Sequence, residues 1–238
     1  MPVILLTAYP TEIQMDEYIS FEQIPFGSDN FADNPEPRCP CVLLLDTSGS
    51  MGGMPIVQLN EGVQTFKQEL LSDHLATKRV EVAVVTFGPV SVESDFHTVP
   101  NFHPRRLEAN GDTPMGAAIE RVIELVTRRK KEYKDHGIAY YKPWIIVITD
   151  GAPTDSWKQA AAMVREGEAA KSFAFFAIGV EGADMDVLKQ ISVREPLKLR
   201  GLMFREFFLW LSASMKMVSS KNPGSAVNLL PPTGWSEL

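Results

Sequence analysis

Cysteine is nearly absent: the 238 residues contain two, Cys39 and Cys41, parted by Pro40 alone. Two are too few for a disulfide framework, and a bridge across one residue would be strained. They read instead as small buried residues at the start of a strand, in a reducing compartment. Long apolar runs are missing too. Val3-Ile4-Leu5-Leu6 has no basic residue before it and is too short for a signal segment or a span. The expected location is therefore cytoplasmic, with no membrane partner. Basic residues are missing from the first 37 positions. Through residue 38, seven acids stand against Arg38 alone, which places −6 of the total net charge of −7 there. An acidic arm on a near-neutral body argues against nucleic acid as the main partner. The pattern GxxxxGK[ST] is also absent, which removes a P-loop nucleotide hydrolase.

What is present is organised around Val42-Leu43-Leu44-Leu45-Asp46-Thr47-Ser48-Gly49-Ser50-Met51. The unbroken apolar run predicts a strand buried on both faces. It ends in Asp46, Ser48 and Ser50, three oxygen donors at alternate positions. Pro55 then opens a helical pattern, with Ile56, Leu59, Val63, Phe66 and Leu70 on one face from about residue 55 to 72. Gly111-Asp112-Thr113-Pro114-Met115-Gly116 precedes another helix, and Trp144 to Thr149 is a second buried strand, ending in Asp150-Gly151. Oxygen donors without Cys or His suit a hard cation, Mg²⁺ or Mn²⁺, rather than zinc.

The rest of the chain alternates strand and helix. Val80–Phe87 and Phe173–Val180 read as buried strands, and Val90–Val99 as an edge strand with alternating polar residues. Leu197–Leu199 reads as a short last strand and Met203–Val218 as a final helix rich in Phe and Leu. Arg128-Arg129-Lys130-Lys131 reads as a solvated helix end, and Thr154 or Asp155 as the cap of the helix that follows. The fold class expected is α/β. A doubly wound, mostly parallel central sheet carries one antiparallel edge strand and helices on both faces. The organisation expected is an acidic arm over residues 1–38, one domain over 39–218 and a Pro-rich tail over 219–238 lying on the body. Within the arm, the aromatics from Phe21 to Phe31 are expected to lie across the domain.

Asp46-x-Ser48-x-Ser50, Thr113 and Asp150 together resemble the metal-ion-dependent adhesion site of von Willebrand factor A domains. The wording Thr149-Asp150-Gly151-Ala152-Pro153-Thr154-Asp155 is similar to the bacterial intracellular branch, and Pro35-Glu36-Pro37-Arg38-Cys39-Pro40-Cys41 to its TerY/YegL group. The resemblance implies a Rossmann-like fold and Asp46, Ser48, Ser50, Thr113 and Asp150 as the metal residues, at least one aspartate acting through water. It also implies a role in binding rather than catalysis. The ion's open position would be filled by an Asp or Glu carboxylate of a protein partner. The TerY-like relatives imply a tellurium-resistance and stress-response setting, with a protein kinase and a metal-dependent protein phosphatase as partners.

The competing class is a Mg²⁺-dependent phosphohydrolase using the same carboxylates. Phosphoaspartyl phosphatases also place an aspartate after a buried strand, but need a second acid two residues on. Ser48 holds that position and cannot serve as acid or base. His97 and His103 lie in or near the loop before Thr113 and read as turn or surface histidines.

Overall fold

The computed structural model describes residue 31 and residues 34–237. Expectations for the arm up to residue 30 lie outside the described residues. The elements in chain order are β1 (Cys39–Asp46), α1 (Met54–Leu71), α2 (His74–Arg79), β2 (Val80–Phe87), β3 (Ser91–Thr98), α3 (Met115–Asp135), β4 (Trp144–Thr149), α4 (Lys158–Ala169), β5 (Ala174–Gly179), α5 (Met185–Ile191), β6 (Leu197–Leu199), α6 (Phe204–Ser219) and β7 (Ser236–Glu237). They form one seven-stranded sheet in the order β3-β2-β1-β4-β5-β6-β7. β1 pairs in parallel with β2 and with β4, β4 with β5, and β5 with β6.

Period-two alternation sorts the buried strands between two cores. Cys39, Cys41, Leu43 and Leu45 of β1 join Leu59, Val63 and Phe66 of α1 and Phe204, Phe208 and Leu211 of α6. Val42 and Leu44 join Ala118, Ile119 and Val122 of α3 and Ala160, Ala161 and Val164 of α4. A strand covered on both faces has no solvent side, which is why all eight residues of β1 and of β2 are buried and apolar runs stand where alternation would otherwise appear. α1 and α6 pack closely because position 62 is glycine. A Cβ there would lie 2.4 Å from a ring carbon of the fully buried Phe208.

β3 is antiparallel to β2, as its alternating pattern predicts. A second antiparallel strand was not foreseen. Lys198 pairs with Glu237 and Leu199 with Ser236, so the end of the tail closes the other edge of the sheet. Trp235 just before it is buried, edge-on to Phe207.

The reading of Arg128 to Lys131 as a solvated helix end is corrected at Arg129. That guanidinium is buried and donates to Glu81 of β2 through Nε at 3.0 Å and Nη2 at 2.9 Å. The partner lies 48 residues away in sequence, beyond the reach of any local pattern. Arg128 and Lys131 are exposed, as expected.

Candidate metal centre

Strand order reverses between β1, whose other neighbour is β2, and β4, which leads on to β5. In open α/β sheets the crevice beyond the strand carboxyl ends at such a reversal is where ligands sit. Asp46 ends β1 and Asp150 follows β4, so the two aspartates meet at that point.

Asp46 has no solvent exposure. Its Oδ1 accepts the Ser48 N–H at 2.8 Å and its Oδ2 accepts the Thr149 hydroxyl at 2.5 Å. Ser48 Oγ lies 3.0 Å from Ser50 Oγ, and the Ser50 hydroxyl donates to Asp150 Oδ1 at 2.7 Å. Four of the five expected residues therefore form one hydrogen-bonded chain. It runs from a buried carboxylate to Asp150, which is 9% exposed, with Ser50 on the solvent side. Thr113 makes no hydrogen bond to the other four, but its hydroxyl faces the Asp150-Gly151 turn: a Cβ at Gly151 would lie 3.6 Å from Thr113 Oγ1.

The backbone around these side chains is tied from three directions. Gly49 N–H donates to Gly111 C=O at 3.0 Å and Asn110 N–H to Thr47 C=O at 2.7 Å, which docks the Thr113 loop on the β1 turn. Gly88, in the left-handed region at φ 136°, lets the β2–β3 turn press in; a Cβ there would lie 2.7 Å from Ser48 N. Thr154 and Asp155 do not cap α4, as their position had suggested. Thr154 Oγ1 accepts the Thr113 N–H at 3.1 Å, and Thr154 N–H donates to Thr113 C=O at 2.9 Å. Asp155 accepts from Gly116 N at 2.9 Å and Ala117 N at 2.8 Å, so it caps α3 across the site. Gly116 permits this contact, since a Cβ there would lie 2.4 Å from Ser156 O. The Asp-Gly-Ala-Pro-Thr-Asp wording after β4 carried this signal, but not its target.

Burial pushes the Asp46 carboxyl above the usual carboxylate range. Hydrogen bonds from Ser48 and Thr149 pull it back, and the charge of Asp150 pushes it up again. Two carboxylates thus converge with hydroxyl and N–H partners and, among the described residues, no ion pair to Lys, Arg or His. A hard divalent cation fits this donor set: it would relieve the repulsion between Asp46 and Asp150, and the three hydroxyls are neutral oxygen ligands. Among the described residues no group of three or more His, Cys, Asp or Glu gathers at one point, which sets the centre apart from zinc-type sites. His103 is exposed, with Nδ1 3.3 Å from Lys67 Nζ, and takes no part in the site.

Solved structures with the same fold include the pilus adhesin SpaC of Lactobacillus rhamnosus GG in an open conformation, with TM-score 0.63 and 13% identity, covering 78% of this chain and 31% of that one. Proximal thread matrix protein 1 from the mussel byssus aligns with TM-score 0.53 and 16% identity, covering 76% of this chain and 49% of that one. Manganese-loaded TRAP protein of Plasmodium vivax aligns with TM-score 0.50 and 16% identity, covering 74% and 73%. The chain thus spans less than half the length of the SpaC and mussel chains. At these identities the likeness shows the fold alone. No curated protein matches the sequence. The family model for the von Willebrand factor type A domain matches residues 41–205, well over half of the chain and all five candidate metal residues. This chain belongs to the von Willebrand factor type A domain family.

Proposed function

We propose that this chain is a metal-dependent protein-binding module. Asp46, Ser48, Ser50, Thr113 and Asp150 would hold Mg²⁺ or Mn²⁺. The observation that carries the reading is the hydrogen-bonded chain from Asp46 through the Ser48 N–H, and through the Ser48 and Ser50 hydroxyls to Asp150, at the sheet's reversal point, with Ser50 facing solvent. A bound cation would supply an electrophilic position to which an Asp or Glu carboxylate of a partner protein binds. Asp46 is sealed beneath the site, Thr149 fixes its orientation, and Thr154 and Asp155 hold the Thr113 loop in register. The position two residues after Asp46 is Ser48, whose N–H supports that carboxylate; an acid able to serve a phosphoryl-transfer reaction is not there. We therefore take the module to be non-catalytic.

The resemblance to the TerY/YegL group supports a finer placement: a cytoplasmic tellurium-resistance or stress-response signalling complex, with a protein kinase and a metal-dependent protein phosphatase as partners. Calorimetric titration of Mg²⁺ and Mn²⁺ into wild type and Asp46→Ala tests the metal assignment, and equal binding by both proteins would sink it. Affinity capture with and without Mg²⁺, using Thr113→Ala as control, tests the partner mode. A partner set indifferent to both would place binding on another face.

A further inference from the structure

The sheet edge opposite the metal centre holds a second feature. β5 has six residues, yet only Ile178 and Gly179 pair with β6. Among the described residues no strand lies beside the first part of β5 on that side. The backbone of Phe175 that no strand pairs on this side is instead closed by side chains: Glu168 Oε1 accepts its N–H at 2.6 Å and Arg194 Nη1 approaches its carbonyl at 3.4 Å. An incoming strand would therefore find no free partners at Phe175. What remains is a cavity of about 460 Å³ at the amino ends of β4 and β5, walled on the far side by the tail near Val227 and Leu229. It adjoins a smaller groove of about 250 Å³ that shares Phe176 and Arg194.

The lining is of two kinds. Half-buried Phe176 supplies the aromatic surface and is backed by the buried Trp144, their ring centroids 5.0 Å apart; Arg194 lies over the Phe176 ring at 5.0 Å. Lys142 and Lys171 stand exposed at the rim. Among the described residues no carboxylate lines this cavity. The nearby acids are engaged elsewhere: Glu168 with Arg194, and Glu195, in the adjoining groove, with Lys189 at 3.1 Å. Among the described residues neither Lys142 nor Lys171 has an ion-pair partner. A site of this size, with an apolar aromatic wall and cations at its mouth, suits a ligand with a planar apolar body and an anionic group at one end.

We propose that this cavity is a binding site for small aromatic anions, separate from the metal centre. The aromatic body would pack against Phe176 and the apolar wall of Val227 and Leu229, and the carboxylate, sulfonate or phosphate would face Lys142 and Lys171.

The test uses the full chain and two probes of the same ring, 1-naphthoate and neutral 1-naphthalenemethanol, titrated calorimetrically at low salt. Naphthoate is expected to bind saturably, and at least about fivefold more tightly than the alcohol, the scale of two screened surface charges. Lys142→Gln combined with Lys171→Asn should bring naphthoate down to the alcohol's affinity and leave the alcohol unchanged; Asn suits the left-handed backbone at residue 171, where φ is 53°. Phe176→Ala should weaken both probes. Because both lysines are exposed, the charge variant decides the matter even if the Phe176 variant fails to fold. Chelation of divalent metal should change none of these affinities, as the cavity lies at the other ends of the strands. Absence of saturable naphthoate binding, equal binding of the two probes, or wild-type discrimination in the lysine variant would each overturn the proposal.

Discussion

Glu81 sits at the amino end of β2 with no solvent exposure and accepts from Arg38 Nε at 2.9 Å, from two nitrogens of Arg129 and from the Tyr133 hydroxyl. Phe31 lies under both guanidiniums, its ring centre 5.5 Å from Arg38 Cζ and 4.9 Å from Arg129 Cζ. Burial opposes the Arg129 charge, but the hydrogen bonds and charge of Glu81 outweigh it and hold the guanidinium above its ordinary range. Glu81→Gln leaves buried Arg38 without its counter-charge and Arg129 with only the partly exposed Glu132, 2.8 Å from its Nη1, and is expected to cost about 3–5 kcal/mol in a denaturant melt; a loss under about 1 kcal/mol would mean water reaches the cluster. The cysteines allow a pH test. Burial pushes both thiols above their usual range, and for Cys39 the neighbouring Cys41 and Glu81 add to it. With folded values raised, the stabilising protonated state is fully present below the unfolded thiol value near pH 8.5 and is lost above it, because the unfolded chain ionises first. Stability should fall above about pH 8.5 by roughly 1.4 kcal/mol per pH unit for each thiol. Burial raises Tyr133 likewise, so it joins this fall from about pH 10. Melts between pH 7 and 10 of wild type and of Cys39→Ala/Cys41→Ala should differ in slope; equal slopes would refute the assignment.

Among elements, the four buried strands and the convergence of Asp46 and Asp150 at or beyond their carboxyl ends were legible because their signals are local. A short apolar run rich in Val, Ile and Leu and bounded by turn residues reads as a buried strand, and a strand that stops at oxygen donors marks its own end. What was not legible depends on distant partners. Asp155 lies three residues before α4, so a local reading makes it that helix's cap, yet it caps α3 from 38 and 39 residues away. β7 is two residues long, too short to leave a periodic trace, and is held by pairing with β6 and the burial of Trp235. The Asp155 contact joins the α3 terminus, which directly follows Thr113, to the loop carrying Asp150, which gives it two consequences. Asp155→Ala should cost about 1 kcal/mol, the ordinary effect of losing a cap, and should also weaken Mg²⁺ binding. Asp73 provides the control. It caps α2 by accepting from Leu75 N and Ala76 N, and α2 leads into the amino end of β2, away from the site. Asp73→Ala should match the stability cost with metal affinity unchanged. Equal metal affinity in the two variants would separate the cap from the site.

At the scale of the whole molecule, the two cores and the candidate metal centre occupy separate parts of the fold. The cores on the two faces of the sheet draw on α1 and α6 on one side and α3 and α4 on the other, and both run the length of β1. The candidate metal residues lie only at the carboxyl ends of β1 and β4 and on the loops beyond them. Those loops are already tied by backbone bonds from Gly49, Asn110 and Thr154 that involve no cation. Folding should therefore not require the metal, unlike small metal-dependent domains whose fold is the binding energy. What the ion should add is mass-action stabilisation of the folded state, about 2.7 kcal/mol at a hundredfold excess over Kd. For a chain of this size each kcal/mol moves Tm by roughly 2–4 °C, so saturating Mg²⁺ should raise it by about 5–10 °C. Asp46→Asn should erase that rise: it keeps the side chain's shape and removes one of the two repelling charges. Its metal-free form should melt no lower than metal-free wild type, because burial and Asp150 already disfavour the Asp46 charge. Scanning calorimetry in chelator and in excess Mg²⁺ separates these outcomes. A chain that loses cooperative melting in chelator would make the metal a structural staple, and an Asp46→Asn variant that still gains 5 °C or more would move the ion elsewhere.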